Sequence, residues 1–210
     1  VEILENYQAL FNSPIRYGPS ENRTFELSET TPEQKEKWFV RTNGGFFRIK
    51  KPWKFDINIF YFHSNKRKFP SSLHISCSPR YFEKQSWVEE YLKLHNDLYL
   101  WGEMDHGSIS LWNEFLDKNV YPGGGAGGPN ISVSLPGIYW INYFGPNYVD
   151  RLGKRKFESL NCYKKYRLND GGFFIQSRES IFDYTGKGNS IEDNRIINHL
   201  GREEFFIKEP

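Results

Sequence analysis

The chain has 210 residues, a net charge of +2, 38% hydrophobic residues and 18% aromatic ones. That length suits one domain with a substantial core, and 6 Trp, 13 Tyr and 18 Phe against a single Met predict a core filled by large rings. Basic and acidic residues are interspersed, unlike the basic face of a nucleic-acid binder, and no run approaches the ~18 continuous apolar residues of a membrane span.

No basic, apolar and small-residue leader pattern opens at Val1, which leaves a leader removed before it open. Residues 1–28, with Pro14, Gly18 and Pro19, predict one short element and a loop. Thr30-Thr31-Pro32-Glu33-Gln34 has the form of a helix start, with a threonine cap and proline in the first turn. Asn43-Gly44-Gly45 ends that helix. Phe46–Lys51 and Lys54–Phe62 read as strands joined across Pro52, with Phe55, Ile57, Ile59 and Tyr61 alternating on one face. A polar turn, His63–Lys68, leads to a third strand over Leu73–Ser78, which predicts an antiparallel meander.

The clearest helix spans about Glu83 to Leu100. Trp87, Tyr91, Leu94, Leu98 and Trp101 form one apolar stripe, widened by Val88, Leu92 and Tyr99 and closed by Gly102, and these rings read as core. Periodicity leaves Ser108–Phe115 open between strand and short helix. Then comes the glycine-rich Tyr121–Asn130 stretch. It satisfies G-x-G-x-x-G in form, but no helix start follows it and no Gly-Lys-Ser/Thr completes a phosphate loop, so it reads as a surface loop.

Ile138–Phe144 has the composition of a buried strand, opened by Pro136-Gly137 and stopped by Gly145-Pro146. Asn142 is its one strongly polar side chain, and a buried amide there requires hydrogen-bond partners. Asn147–Leu152 reads as a short helix with Pro146 in its first turn and Gly153 at its end. A basic, aromatic segment, Lys154–Leu168, leads to the hairpin turn Asn169-Asp170-Gly171-Gly172 and a strand over Gly172–Ser177. Its cluster of Lys154, Arg155, Lys156, Lys164, Lys165 and Arg167 reads first as a strand edge blunted by lysines. A helix from Ser190 to Leu200, closed at Gly201, ends the pattern. Strands interrupted by two or three helices indicate a single α+β domain over residues 1–210, mainly antiparallel.

No site chemistry is legible. The histidines lack zinc-ligand spacing, and Cys77 and Cys162 are expected as two free thiols of a reducing, cytoplasmic compartment. No G-x-S-x-G occurs, and Glu89-Glu90 and Glu203-Glu204 read as solvated faces. Catalytic, cofactor and metal residues are therefore expected to be none.

The run Leu135-Pro136-Gly137-Ile138-Tyr139-Trp140-Ile141-Asn142-Tyr143-Phe144-Gly145-Pro146-Asn147-Tyr148-Val149 resembles the motif of bacterial polymorphic-toxin immunity proteins, most nearly the immunity protein 52 family. The aromatic helix before the glycine-rich loop, and Asn198-His199-Leu200-Gly201 followed by Phe205-Phe206, extend the likeness over Trp87 to Phe206. The first half carries none. The resemblance implies a non-enzymatic α+β protein that binds and blocks a cognate toxin domain in the producing cell, with Trp140, Asn142, Gly145 and Pro146 as its structural signature. It transfers no contact residues. Loops on a rigid scaffold are the expected partner-binding sites, which points to Tyr121, Gly124 and Asn130 in one loop and Asp183 and Tyr184 in another. Two alternatives stand beside it: an enzyme of unrecognised class built near Asp105, His106 and the 121–130 loop, and a phage or mobile-element accessory binding protein.

Overall fold

The computed structural model describes residues 16–20, 23–26, 31, 33–34, 44–49, 55–60, 72–119, 134–135, 137–186 and 188–206, the strands before residue 75 by their backbone. The chain divides into two units, Val1–Asp97 and Leu98–Pro210.

The first unit is organised on a five-stranded antiparallel sheet in the order β2-β1-β3-β4-β5. Its strands are β1 (Arg16–Ser20), β2 (Arg23–Glu26), β3 (Gly44–Ile49), β4 (Phe55–Phe60) and β5 (Ser72–Cys77). The expected meander is present, with Phe47 opposite Ile57 and Ile57 opposite Ile75. The expectation of one short element and a loop over residues 1–28 is corrected: β1 and β2 form a hairpin that extends the sheet. Gly18-Pro19 hid it. Pairing of β1 with β3 stops at Gly18, and the β1–β2 register shifts between Tyr17 and Ser20, so Pro19 occupies an irregularity where its missing N–H breaks no ladder. The helix start at Thr31 is a reciprocal cap: Gln34 N donates to Thr31 Oγ1 at 3.3 Å, and Thr31 N donates to Gln34 Oε1 at 3.0 Å.

A 3-10 turn, Pro79–Glu83, capped by Ser78, precedes helix α1, Gln85–Trp101. Tyr91, Leu94, Leu98 and Tyr99 are buried as read, but Trp101 is 57% exposed. A strict seven-residue stripe drifts by ~20° per heptad on a straight helix. Two heptads beyond Trp87, Trp101 has rotated off the buried face and Tyr99 takes its place.

The second unit holds the four-stranded antiparallel sheet β6-β7-β9-β8. Its strands are β6 (His106–Ile109), β7 (Ile141–Phe144), β8 (Lys164–Arg167) and β9 (Phe173–Gln176), and its helices are α2 (Trp112–Asn119), α3 (Pro146–Leu152), α4 (Lys154–Ser159) and α5 (Ile191–Leu200). Ser108–Phe115 thus divides between a strand and a helix. The Lys154–Leu168 segment carries both α4 and β8, and β8 is an edge strand, as its lysines suggested. The architecture is α+β, with five α-helices among the described residues rather than the two or three expected. One sheet face presents Phe144, Phe173 and Ile175 to Tyr148, Val149 and Leu152 of α3, Phe157 of α4 and Ile196, Ile197 and Leu200 of α5. The other carries a row of rings: Tyr99 stacks on Tyr143 at 4.8 Å, Tyr143 meets Phe174 edge-on at 5.3 Å, and Phe174 stacks on Tyr166 at 4.5 Å.

The ladder of β7 begins at Ile141, three residues later than its composition implied. Asn142 explains the delay. Its Oδ1 accepts from Tyr139 N at 3.0 Å and its Nδ2 donates to Tyr139 O at 2.9 Å. The buried amide closes on its own chain and takes both main-chain groups of Tyr139 out of any ladder. Gly145 then turns the corner into α3, where an added Cβ would lie 2.9 Å from both the Met104 and Asp105 carbonyl oxygens. Both cysteines are free thiols, and burial pushes the Cys77 thiol up to about 12. Among the described residues no helix is long and apolar enough to cross a membrane.

Candidate functional site

Helix α2 is amphipathic in the reverse sense. At about 100° per residue, Trp112 and Leu116 fall on one side of it and Glu114 and Lys118 on the other. An ordinary surface helix buries the first pair. Here Trp112 is 65% and Leu116 44% exposed, while Glu114 and Lys118 are buried. Trp112 also stacks on Phe115 at 5.4 Å with planes 15° apart, which stiffens the outward face.

The inward face is held by charge. Lys118 Nζ donates to Glu114 Oε1 at 2.7 Å, to Asp193 Oδ2 at 3.0 Å and to the carbonyl of Ile138. An ammonium group has three donors, and all three are directed. Arg178 Nη2 lies 2.6 Å from Glu114 Oε2, and its Nη1 is 3.8 Å from Asp193 Oδ1. Two cations therefore face two carboxylates. Tyr139 and Tyr184 place their rings 5.4 Å from the Lys118 ammonium, within the range of cation–π attraction. Desolvation of buried ions offsets most of their mutual attraction, so the cluster contributes orientation more than net stability: it sets which side of α2 faces inward.

The signature strand reaches this cluster through a short relay. Trp140 Nε1 donates to the carbonyls of Arg178 at 3.1 Å and Glu179 at 3.4 Å, and Gln176 Nε2 bonds the same two oxygens, each at 3.0 Å. These four bonds fix the backbone that aims Arg178. The chain then makes a 3-10 turn, Ile181–Asp183, closed by Ser180 N to Asp183 Oδ2 at 2.9 Å and Phe182 N to Ser180 Oγ at 3.1 Å. Tyr184 follows, and its hydroxyl donates to Asp117 Oδ2 of α2 at 2.6 Å. Burial, together with that carboxylate, raises the Tyr184 phenol well above its ordinary range.

Of the expected partner-binding residues, Tyr121, Gly124 and Asn130 lie outside the described residues. Asp183 and Tyr184 are described, and both act within the fold, one as a cap and the other as a tether to α2. The exposed ring of their turn is Phe182, 45% accessible. Of the signature residues, Trp140 and Asn142 are buried and bonded to main chain, Gly145 is the tight corner, and Pro146 begins α3.

Asp105 and His106, the suggested enzyme pair, serve separate ends. The Asp105 carboxylate accepts from Asn147 Nδ2 at 2.7 Å, and its carbonyl accepts from Gly145 N at 2.8 Å. His106 packs edge-on against Phe144 at 5.7 Å and Tyr148 at 6.0 Å, its Nε2 buried and without a hydrogen-bond partner among the described residues. Burial lowers its pKa to about 4, so the ring is neutral at physiological pH. Among the described residues no three His, Cys, Asp or Glu are gathered to hold a metal ion.

The sequence reading missed Glu114, Lys118, Arg178 and Asp193. Glu114 and Lys118 four residues apart look like an ordinary surface pair, and only the exposed Trp112 and Leu116 betray the inversion. No family model, no curated protein and no solved structure matches this chain.

Proposed function

We propose that this protein works by stoichiometric binding to another protein, as an immunity protein that neutralises a cognate bacterial toxin domain in the cytoplasm of the producing cell. The observation that carries the binding reading is the reversed helix α2: Trp112 and Leu116 exposed on its outward side, Phe115 half-buried beside them, and Glu114 and Lys118 sealed inside. Tryptophan is favoured as an anchor in protein interfaces, and an ion cluster that fixes a helix in this sense is a preorganised mount for such an anchor. The toxin identity of the partner rests on the resemblance of Leu135–Val149 to the immunity-protein motif. Under this reading the signature strand is not the contact surface. It is the beam from which the Arg178 backbone, and through it α2, is held.

The test is co-expression with the neighbouring toxin gene in a sensitive host, followed by size-exclusion chromatography of the pair. Protection and a one-to-one complex are expected, and Trp112→Asp with Leu116→Asp should abolish both while the variant stays folded. A chain that neither protects nor forms a complex would overturn the reading.

A further inference from the structure

A second surface lies at the outer edge of the four-stranded sheet. β8 is the outer strand, paired among the described strands with β9 alone. Leu168 N donates to Gly172 O at 2.8 Å, which makes Leu168 and Gly172 a hydrogen-bonded pair. Antiparallel alternation then fixes the rest. The main chains of Lys164 and Tyr166 turn toward β9, while the N–H and C=O groups of Lys165 and Arg167 turn outward, where no described strand meets them.

The side chains differ in role. Lys165 folds under the strand and donates to the carbonyls of Phe157 at 3.1 Å, Leu160 at 2.6 Å and Glu158, where it serves as the C-terminal cap of α4. Lys164 and Arg167 remain in solvent. Tyr166 closes the ring row from Tyr143 through Phe174 with one face covered by Phe174 at an interplanar angle of 11°, and it is 42% exposed.

Lysines on an edge oppose pairing with a second copy of the same edge, because like charges meet. The same charges favour a strand of opposite sign. We infer that β8 accepts an extended acidic segment of a partner protein as an added strand. Main-chain bonds form to Lys165 and Arg167, carboxylates sit beside Arg167 on one face of the added strand, and apolar side chains continue the ring row at Tyr166 on the other. The inference is independent of α2 and of the neutralising role: it concerns the backbone edge and its charge.

The experiment uses the full chain, labelled with nitrogen-15, and three fluorescent peptides: one alternating Glu and Val, one alternating Lys and Val, and the Glu/Val peptide interrupted by prolines. The Glu/Val peptide should bind and shift the amides of Lys165 and Arg167, with the other two at least about tenfold weaker. Arg167→Pro removes an outward N–H and should lose binding, as should the charge reversal Lys164→Glu with Arg167→Glu. If circular dichroism shows Arg167→Pro unfolded, the charge-reversed variant and the two amide shifts decide. Equal binding of the proline-interrupted peptide would overturn the inference in favour of charge alone. Sedimentation showing a dimer that Lys164→Glu with Arg167→Glu changes would assign the edge to a second copy, and binding by none of the peptides would refute it outright. Toxin protection that survives these variants leaves the binding reading at α2 intact.

Discussion

Lys118 Nζ stands 2.7 Å from Glu114 Oε1, one turn earlier on the same helix, with both side chains shielded from water. The same spacing on an exposed helix is worth a few tenths of a kcal/mol. Here it decides which face of α2 the solvent sees, because neither group can turn outward without leaving Asp193 or Arg178 facing an unbalanced charge.

Removing one member should therefore be costly. Lys118→Met leaves Glu114 and Asp193 with a single cation between them and is expected to lose about 3–5 kcal/mol in chemical denaturation. Glu114→Leu combined with Lys118→Met removes one charge of each sign and leaves Arg178 with Asp193. It should cost clearly less than the sum of the two single changes, which a double-mutant cycle measures.

Asn142→Leu keeps the branched outline of the side chain and deletes both bonds to Tyr139. The N–H of Tyr139 then loses its buried acceptor, while its C=O keeps the Ser177 hydroxyl at 2.8 Å, at about 1–3 kcal/mol. Thermal unfolding should show the loss, and amide exchange at Tyr139 should accelerate.

His106 gives the pH dependence a sign. Its folded pKa of about 4 lies below the ordinary 6.5, so as pH falls between those values the unfolded chain takes up a proton that the folded chain does not. The stability it contributes is complete above 6.5 and falls away as pH drops toward 4, by about 1.4 kcal/mol per unit and on the order of 3 kcal/mol in all. His106→Phe should flatten the denaturation midpoint across that window. A parent protein with the same slope as the variant would refute the assignment.

Gly145→Ala tests the corner. The new methyl group would sit 2.9 Å from two backbone oxygens, neither the end of a flexible side chain, so β6 and β7 must separate. A loss of about 1–3 kcal/mol is expected, with changed amide shifts at Met104 and Asp105.

Much of the second unit was legible because its signals are local. Pro146 and Gly153 bracket α3, Ser190 and Gly201 bracket α5, and Asn169–Gly172 names the β8–β9 turn, each through a conformational preference of the residue itself. Asn142 was legible for a different reason, since a buried amide has to be answered wherever it lies. The start of β7 was not, because the residue that delays it acts by folding back on its own chain. Nor was the ion cluster. Glu114 and Asp193 are 79 positions apart (193 − 114) in one sequence, and nothing in either neighbourhood says that the apolar side of α2 faces out. Periodicity finds the two faces of a helix and leaves their sense to tertiary contacts.

Asp193 belongs to two assemblies at once. Its Oδ2 accepts from Ser190 N at 2.9 Å, which starts α5, and from Lys118 Nζ at 3.0 Å, which seats α2. Fraying at the first turn of α5 therefore removes one tether of α2, although 71 residues of chain (120–190) lie between the two helices. One carboxylate oxygen thus couples the local opening of two helices that are distant in the chain.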